Sequence, residues 1–115
     1  MFKRLLVTQT AVAVLLAIPA LAGNIYVVDY GSRADLNVYV VEYESRADLN
    51  VYYVDYESRA AGEDALWYMV DYESRADVNI YFVDYESRAD LKIYVVDYES
   101  RAGWNNSHPW QGRLR

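Results

Sequence analysis

The sequence contains no cysteine, a single histidine and only five glycines. Without cysteine there can be neither a disulfide nor a Cys–His catalytic pair, so a small domain must rely on packing and hydrogen bonds. The one histidine, His108, lies beside Pro109 near the C-terminus, and no glycine-rich phosphate loop is present. We therefore expect the protein not to be an enzyme and to use no cofactor.

Basic residues are also scarce, with 11 lysines and arginines against 17 acidic residues and a net charge of −6. Removing residues 1–22 would take away Lys3 and Arg4 and leave a charge of −8. This balance argues against nucleic acid as a partner, because phosphates demand a basic face. The chain is nevertheless 54% hydrophobic and 16% aromatic, which excludes disorder.

The first 22 residues have the three regions of a bacterial secretory signal peptide. Lys3 and Arg4 form a basic start, a mostly apolar stretch follows, and Ala20-Leu21-Ala22 gives the small-x-small cleavage pattern. The alternative is a membrane anchor, but the unbroken apolar run of residues 11–18 is shorter than the roughly 20 residues that a span needs. We expect cleavage after Ala22, a periplasmic or extracellular location, and no membrane attachment afterwards.

The remaining chain is a tandem repeat of six thirteen-residue units, of which the third carries an insertion at residues 61–63. The repeat domain spans residues 23–105, and residues 106–115 form a C-terminal tail. The second and sixth positions of every unit are tyrosine, and the fourth is valine. The units begin at Ile25, Val38, Val51, Trp67, Ile80 and Ile93.

Each unit predicts a strand of about six residues followed by a tight corner, because runs such as V-Y-V-V are β-branched and aromatic. Ser45 and Asp48 of the E-S-R-A-D corner match a helix-capping pattern, so a single helical turn is expected there. The fold is therefore all-β with short helical turns. One unit cannot pair in parallel with itself, so two or three units make a circuit, and the period does not choose between them. Because thirteen is odd, each corner must reset the pleat.

The motifs Y-x-V-D-Y and A-D-L-x-V-Y, repeated over residues 25–105, resemble a family of small bacterial tandem-repeat β proteins whose backbone forms a seven-crossing torus knot. The resemblance implies a compact knotted fold and does not assign an activity. The insertion at residues 61–63 departs from the regular pattern of that family.

Acidic residues recur at the corners, as in Glu42, Glu44 and Asp48, and repeated carboxylates can bind calcium. Each corner also carries an arginine, placed to pair with an acid of its own or an adjacent unit. Ion pairing is the interpretation we favour, and we expect no metal.

The two tyrosine rows suit either a half-buried ladder across the strands or a recognition surface. We favour the ladder because every unit carries it. The residues that break the repeat are better candidates for a binding surface. These candidates are Trp67, Met69, Trp104, His108 and Trp110.

The sequence thus predicts an exported, monomeric scaffold or binding module whose partner is a protein or a glycan. One alternative is a self-assembling surface or matrix protein, because the V-Y-V-V segments are capable of aggregation. The charge of −8 and the charged corners oppose it. A calcium-dependent adhesion module is a third alternative.

Overall fold

The computed structural model describes residues 23–114. The predicted signal peptide, residues 1–22, lies outside the described residues. None of the helices in the described part has the length and apolar character that a membrane crossing requires.

The described chain consists of short strands joined by single helical turns. Each of the six repeat strands ends at the third position of its unit and begins one or two residues before the unit. The strands are β1 (Asn24–Val27), β2 (Leu36–Val40), β3 (Leu49–Tyr53), β4 (Leu66–Met69), β5 (Val78–Phe82), β6 (Leu91–Val95) and β7 (Gly103–Trp104). The turns are 3₁₀ helices at Gly31–Arg33, Glu44–Arg46, Glu73–Arg75, Glu86–Arg88 and Glu99–Arg101, and one α-helical turn, α1 (Glu57–Ala60).

The predicted six-residue strand is therefore wrong in its bounds. The strands have four or five residues and lie nearer the N-terminus of the motif, so the sixth-position tyrosine falls outside them. The leucine or valine of the preceding A-D-L corner joins the strand instead, because burying that side chain adds apolar area to the core.

The six repeat strands close into a parallel barrel in the order β4-β1-β5-β2-β6-β3, and β3 also pairs with β4. The chain lays down three strands in a first circuit and three in a second, and each circuit fills the gaps of the other. Three units therefore make a circuit, which decides between the two arrangements that the sequence left open. Only β3 and β4 are neighbours both in sequence and in the barrel, and they flank the insertion.

Each five-residue strand pairs with one neighbour through its first half and with the other neighbour through its second half. In β2, Leu36 to Val38 pair with β5, whereas Val38 to Val40 pair with β6. The same change occurs in β6, which pairs first with β2 and then with β3. A large stagger of this kind is what allows short strands to close a barrel.

The barrel interior is filled by alternate residues of the strands. Most strands contribute the leucine or valine that starts the strand and the first residue of the unit, as with Leu49 and Val51, both completely buried. Fully burying one such side chain stabilises the fold by about 1.5–3 kcal/mol. The fourth-position valines are also buried, just beyond the strands. Equivalent residues keep equivalent environments, so the corners reset the pleat as expected.

The corner aspartate fixes the register between neighbouring strands. The Asp48 backbone N–H donates to the Lys92 carbonyl oxygen (2.8 Å), and the Lys92 N–H donates back to the Asp48 carboxylate (2.9 Å). The same two-bond clamp joins Asp35 to Asn79, Asp77 to Asn24 and Asp90 to Asn37.

The predicted capping role is therefore wrong. The residue that caps each described turn is a tyrosine, with no side-chain capping bond. The aspartate carboxylate is satisfied by a neighbouring strand instead.

Candidate functional site

The five candidate residues do not form one surface. Trp67 is completely buried in the barrel core, and its indole N–H donates to the Asp64 carbonyl oxygen at 2.8 Å. Its large ring replaces the Val or Ile of the other units as a core-filling group, so Trp67 is not part of an exposed binding surface. Met69 is half-buried and packs against the same core.

The other three candidates come together near the C-terminus, with Trp104 in β7 and His108 and Trp110 in the tail. The rings of Trp104 and His108 stack with their centroids 5.4 Å apart. His108 Nδ1 accepts the Trp110 backbone N–H (3.1 Å), so Nε2 carries the proton and donates to the Asp90 carbonyl oxygen (2.9 Å). Arg113 lies over the Trp110 ring, 4.4 Å from its centroid. These contacts fasten the tail to the barrel.

The tail ends in the barrel core. Leu114 is completely buried among the strand residues of the interior, and both Trp104 and Trp110 pack against that core. Residues 106–114 therefore belong to the folded unit, although they lie outside the repeat.

Asp64 holds this tail, and sequence reasoning did not single it out. Its carboxylate accepts the Trp104 indole N–H (2.9 Å), the Leu114 backbone N–H (3.1 Å) and the backbone N–H of Gly112. The available signal was positional, because Asp64 occupies the place in the third unit that the clamping aspartates occupy in other units.

A cleft of about 520 Å³ lies beside the insertion, between the start of β4 and β7. Its charged lining includes Arg59, Glu63, Asp64 and Glu99. Arg59 and Glu99 pair with each other, and Asp64 is engaged by the tail. The insertion turns at Gly62, where φ is +80° and a side chain would be strained. Most of the charged groups of this cleft are already used in holding the fold.

Among residues 23–114, no group of three or more histidine, aspartate and glutamate side chains is placed to hold a metal ion. The corner acids pair with arginines instead. Each pair joins corners whose strands are neighbours in the barrel, although among these pairs only Arg75 and Glu57 belong to consecutive units of the sequence. The pairs are Arg33 with Glu73, Arg46 with Glu86, Arg59 with Glu99, Arg75 with Glu57, and Arg101 with Glu44.

These pairs run round the barrel from corner to corner, and we call the glutamates and arginines of the six corners the charged belt. Their side chains are between about a third and three-fifths exposed. An exposed pair contributes only about 0–1 kcal/mol. The belt therefore orders the corners more than it stabilises the barrel.

The sixth-position tyrosines form the largest set of exposed aromatic groups in the described chain. Each is 65–68% exposed and immediately precedes a corner turn. We call this set the tyrosine row: Tyr30, Tyr43, Tyr56, Tyr72, Tyr85 and Tyr98. The second-position tyrosines lie on the strands and are partly buried. The ladder interpretation thus fits the second-position tyrosines, and it is wrong for the tyrosine row.

The pKa of Tyr53 is raised. This tyrosine stands at the third position of the third unit, and its ring centroid lies 6.4 Å from that of Trp67. Burial raises the pKa of Tyr53 above its ordinary value of 10.0, because the anionic phenolate loses hydration beside the core. The group is neutral at physiological pH and offers no ready base.

Comparison with known proteins agrees with the architecture. The profile of the 7(1) septoil knot domain matches residues 22–105, the whole tandem repeat. No curated protein and no solved structure gives a significant match. The interleaved winding of two three-strand circuits, the thirteen-residue repeat and this match together show that the chain belongs to the septoil knot domain family, whose backbone is knotted.

Proposed function

We propose that this protein is an exported, non-catalytic, monomeric scaffold that binds a protein or glycan partner through the tyrosine row. The observation that carries the proposal is the exposure of six large aromatic side chains at equivalent places, each 65–68% accessible. Packing does not explain their retention, since the fold buries little of them.

Tyrosine suits such a surface. Its ring supplies a broad apolar face and its hydroxyl a polar tip, at the cost of few rotatable bonds. The corners that carry the row are held by the clamping aspartates and the charged belt. A rigid surface loses little conformational entropy when it binds, which favours affinity.

Export is supported by the three-part pattern of residues 1–22, and a monomer by the closed barrel. Every strand of the barrel has a neighbour on both sides, and β7 covers the remaining edge of β3 in antiparallel pairing. A closed sheet offers no edge for strand-to-strand assembly. The absence of catalysis is supported by the repetition of the same polar groups at the corners, which gives no asymmetric acid–base set.

The proposal is tested with the triple variant Tyr30→Ser, Tyr43→Ser, Tyr85→Ser, which removes half of the tyrosine row. The matched control replaces the exposed serines of the same corners: Ser32→Ala, Ser45→Ala, Ser87→Ala. Wild-type protein is expected to bind a specific glycan on a glycan array or, when it is immobilised, to retain a specific protein from the culture medium of the producing bacterium. The tyrosine variant should lose that partner and the serine variant should keep it.

Equal retention by both variants would contradict the proposal, as would a wild-type protein that binds nothing in either assay. Circular dichroism and sedimentation of each variant, compared with those of a wild-type monomer, show whether a loss reflects the surface and not the fold.

A further inference from the structure

The charged belt uses a repeated arrangement in which one carboxylate joins two donors. One carboxylate oxygen of Glu44 pairs with Arg101 of the neighbouring corner, and the other accepts a hydrogen bond from the Asn50 side-chain amide at 2.7 Å. Glu73 joins Arg33 and Asn79 in the same way. We call each such arrangement a joint. The other joints with two donors are Glu57 with Arg75 and Asn24, and Glu86 with Arg46 and Lys92.

One joint lacks its carboxylate. The first unit has Gly31 where the other units have glutamate. The order of the barrel assigns Arg88 to this place, because each belt arginine points to the next corner round the barrel and β5 neighbours β1. Asn37 follows Gly31 by six residues, as Asn50 follows Glu44.

Both donors of this joint lack a carboxylate partner within residues 23–114. The Arg88 guanidinium makes no ion pair or hydrogen bond there, whereas the other five corner arginines all pair with glutamate. The Asn37 side-chain NH2 group has only a long contact of 3.5 Å, to the Arg88 carbonyl oxygen, while its backbone N–H is held by Asp90. An arginine and an amide that elsewhere bind one carboxylate together are therefore held side by side.

The position beside Gly31 is narrow, because the ring of Tyr81 lies close to it. A Cβ atom built at Gly31 would lie 3.3 Å from Cδ2 of Tyr81, and its other near neighbour is the Asn37 side-chain oxygen at 3.8 Å. Gly31 has no positive φ, so a glutamate here would meet no backbone strain. The glycine is not required by the turn, and its effect is to leave the two donors accessible.

We propose that Arg88 and Asn37 form a binding site for one carboxylate on a partner polypeptide, a glutamate or aspartate side chain that completes the joint from outside. The four two-donor joints show the ligand chemistry directly, because their ligand is a carboxylate, and in each it is a glutamate side chain. The exposed rings of Tyr30 and Tyr85 precede the two corners of the site and would contact the polypeptide on either side.

The charge of the protein indicates an isolated carboxylate and not a polyanion. The chain without residues 1–22 carries −8, so an acidic polysaccharide would be repelled by the rest of the surface. A peptide with one acidic side chain meets the Arg88 guanidinium at little such cost. The inference rests on the proposed function, since it names the chemistry of the partner that the tyrosine row contacts.

The test is an NMR titration of ¹⁵N-labelled protein with a blocked tripeptide that has a central glutamate, alongside its glutamine counterpart. The glutamate peptide is expected to shift the Arg88 Nε–H and Asn37 side-chain amide signals, and the glutamine peptide to leave them unchanged. Gly31→Glu fills the joint internally and should abolish the response. Arg88→Gln should weaken binding by about tenfold or more, because it removes a charge-assisted hydrogen bond.

Arg33→Gln is the matched control, because Arg33 is already engaged by Glu73, and it should keep the response. A response that survives in Gly31→Glu, or an equal response to the glutamine peptide, would overturn the carboxylate site. Stronger binding of galacturonate than of the glutamate peptide would overturn the assignment to a polypeptide.

The partner-retention assay separates this inference from the proposed function. If Gly31→Glu retains the partner fully while the tyrosine triple variant loses it, the tyrosine row binds without the joint and only the inference fails. If the triple variant retains the partner, the proposed function fails, whatever the tripeptide does. Loss of the partner in both variants supports the two together.

Discussion

The second and third corners carry aspartate at the same place in the repeat, yet the two side chains have different partners. Asp48 clamps the backbone of Lys92 on a neighbouring strand. Asp64 accepts hydrogen bonds from Trp104, Gly112 and Leu114, which belong to the end of the chain. The repeat supplies a carboxylate at each such corner, and the position of the corner in the barrel decides what that carboxylate binds.

The difference arises where the two circuits join. Elsewhere, consecutive strands leave room for a strand of the other circuit, and the aspartate meets that strand. Between β3 and β4 the chain advances to the adjacent position, with the insertion in the connection. The end of the chain then occupies the place beside Asp64, and Leu114 enters the core there. A tail outside the repeat thus substitutes for a missing neighbour.

The largest expected effect tests whether a buried residue of the tail stabilises the core as much as a buried residue of a repeat strand. Leu114→Ala should lower the free energy of unfolding by about 2–5 kcal/mol, the cost of removing a fully buried leucine. Leu49→Ala, in a regular strand, should cost a similar amount, and the exposed Ser107→Ala almost nothing. Urea denaturation followed by circular dichroism measures all three. A Leu114→Ala protein as stable as Ser107→Ala would show that the tail is not part of the core.

An intermediate effect compares the two kinds of corner directly. Asp64→Ala should cost about 3 kcal/mol, because it leaves three donors without their shared carboxylate. Asp35→Ala, which removes one bond to the Asn79 N–H, should cost about 1 kcal/mol. Thermal melts of the two variants under the same conditions give the ranking. Equal losses would mean that the tail bonds add nothing beyond a regular clamp.

The smallest expected effect concerns Tyr53, where the third unit has a tyrosine in place of the valine of three other units. Because its pKa is raised in the fold, the unfolded chain releases this proton first as the pH rises through 10. The stability that the neutral Tyr53 side chain contributes is therefore fully present below about pH 10 and is lost as the pH rises further. Between about pH 9 and pH 11, Tyr53→Phe should lose less stability than wild type.

Chemical denaturation at several pH values measures the effect, with Tyr98→Phe as a control for the loss of one phenol. A Tyr53→Phe protein whose stability falls as steeply as that of wild type would contradict the assignment.

Much of the architecture followed from the repeat. The strand-and-turn unit and the reset of the pleat are confirmed, because β-branched and aromatic runs act locally in the chain. The corner arginines that pair do bind acids, but most of their partners belong to units that are distant in the sequence. The resemblance of residues 25–105 to a knotted family is confirmed by the domain match. The predicted strand bounds were wrong because the leucine of the A-D-L corner is buried in the core, whereas the sixth-position tyrosine is exposed.

The candidate site was predictable only in part. Trp67 differs from its counterparts because it fills the core, and a difference in sequence alone does not distinguish that from a binding role. Met69 packs on the same core, and the tail aromatics fasten the chain end. In the sequence, Gly31 occupies the one corner without glutamate. That Arg88 therefore lacks a glutamate partner follows only from the strand order of the barrel, since Gly31 and Arg88 lie far apart in the chain.

The sequence by itself determined the local unit: a short strand, a turn with one arginine, and an apolar residue at each inward position. These depend on backbone preference and on side chains that are near one another in the chain. Only the tertiary structure decided that three units make a circuit, that Asp64 holds the tail and that Arg88 is left without a glutamate. Such partners are set by how the two circuits interleave, and identical units give no local signal of which neighbour they meet.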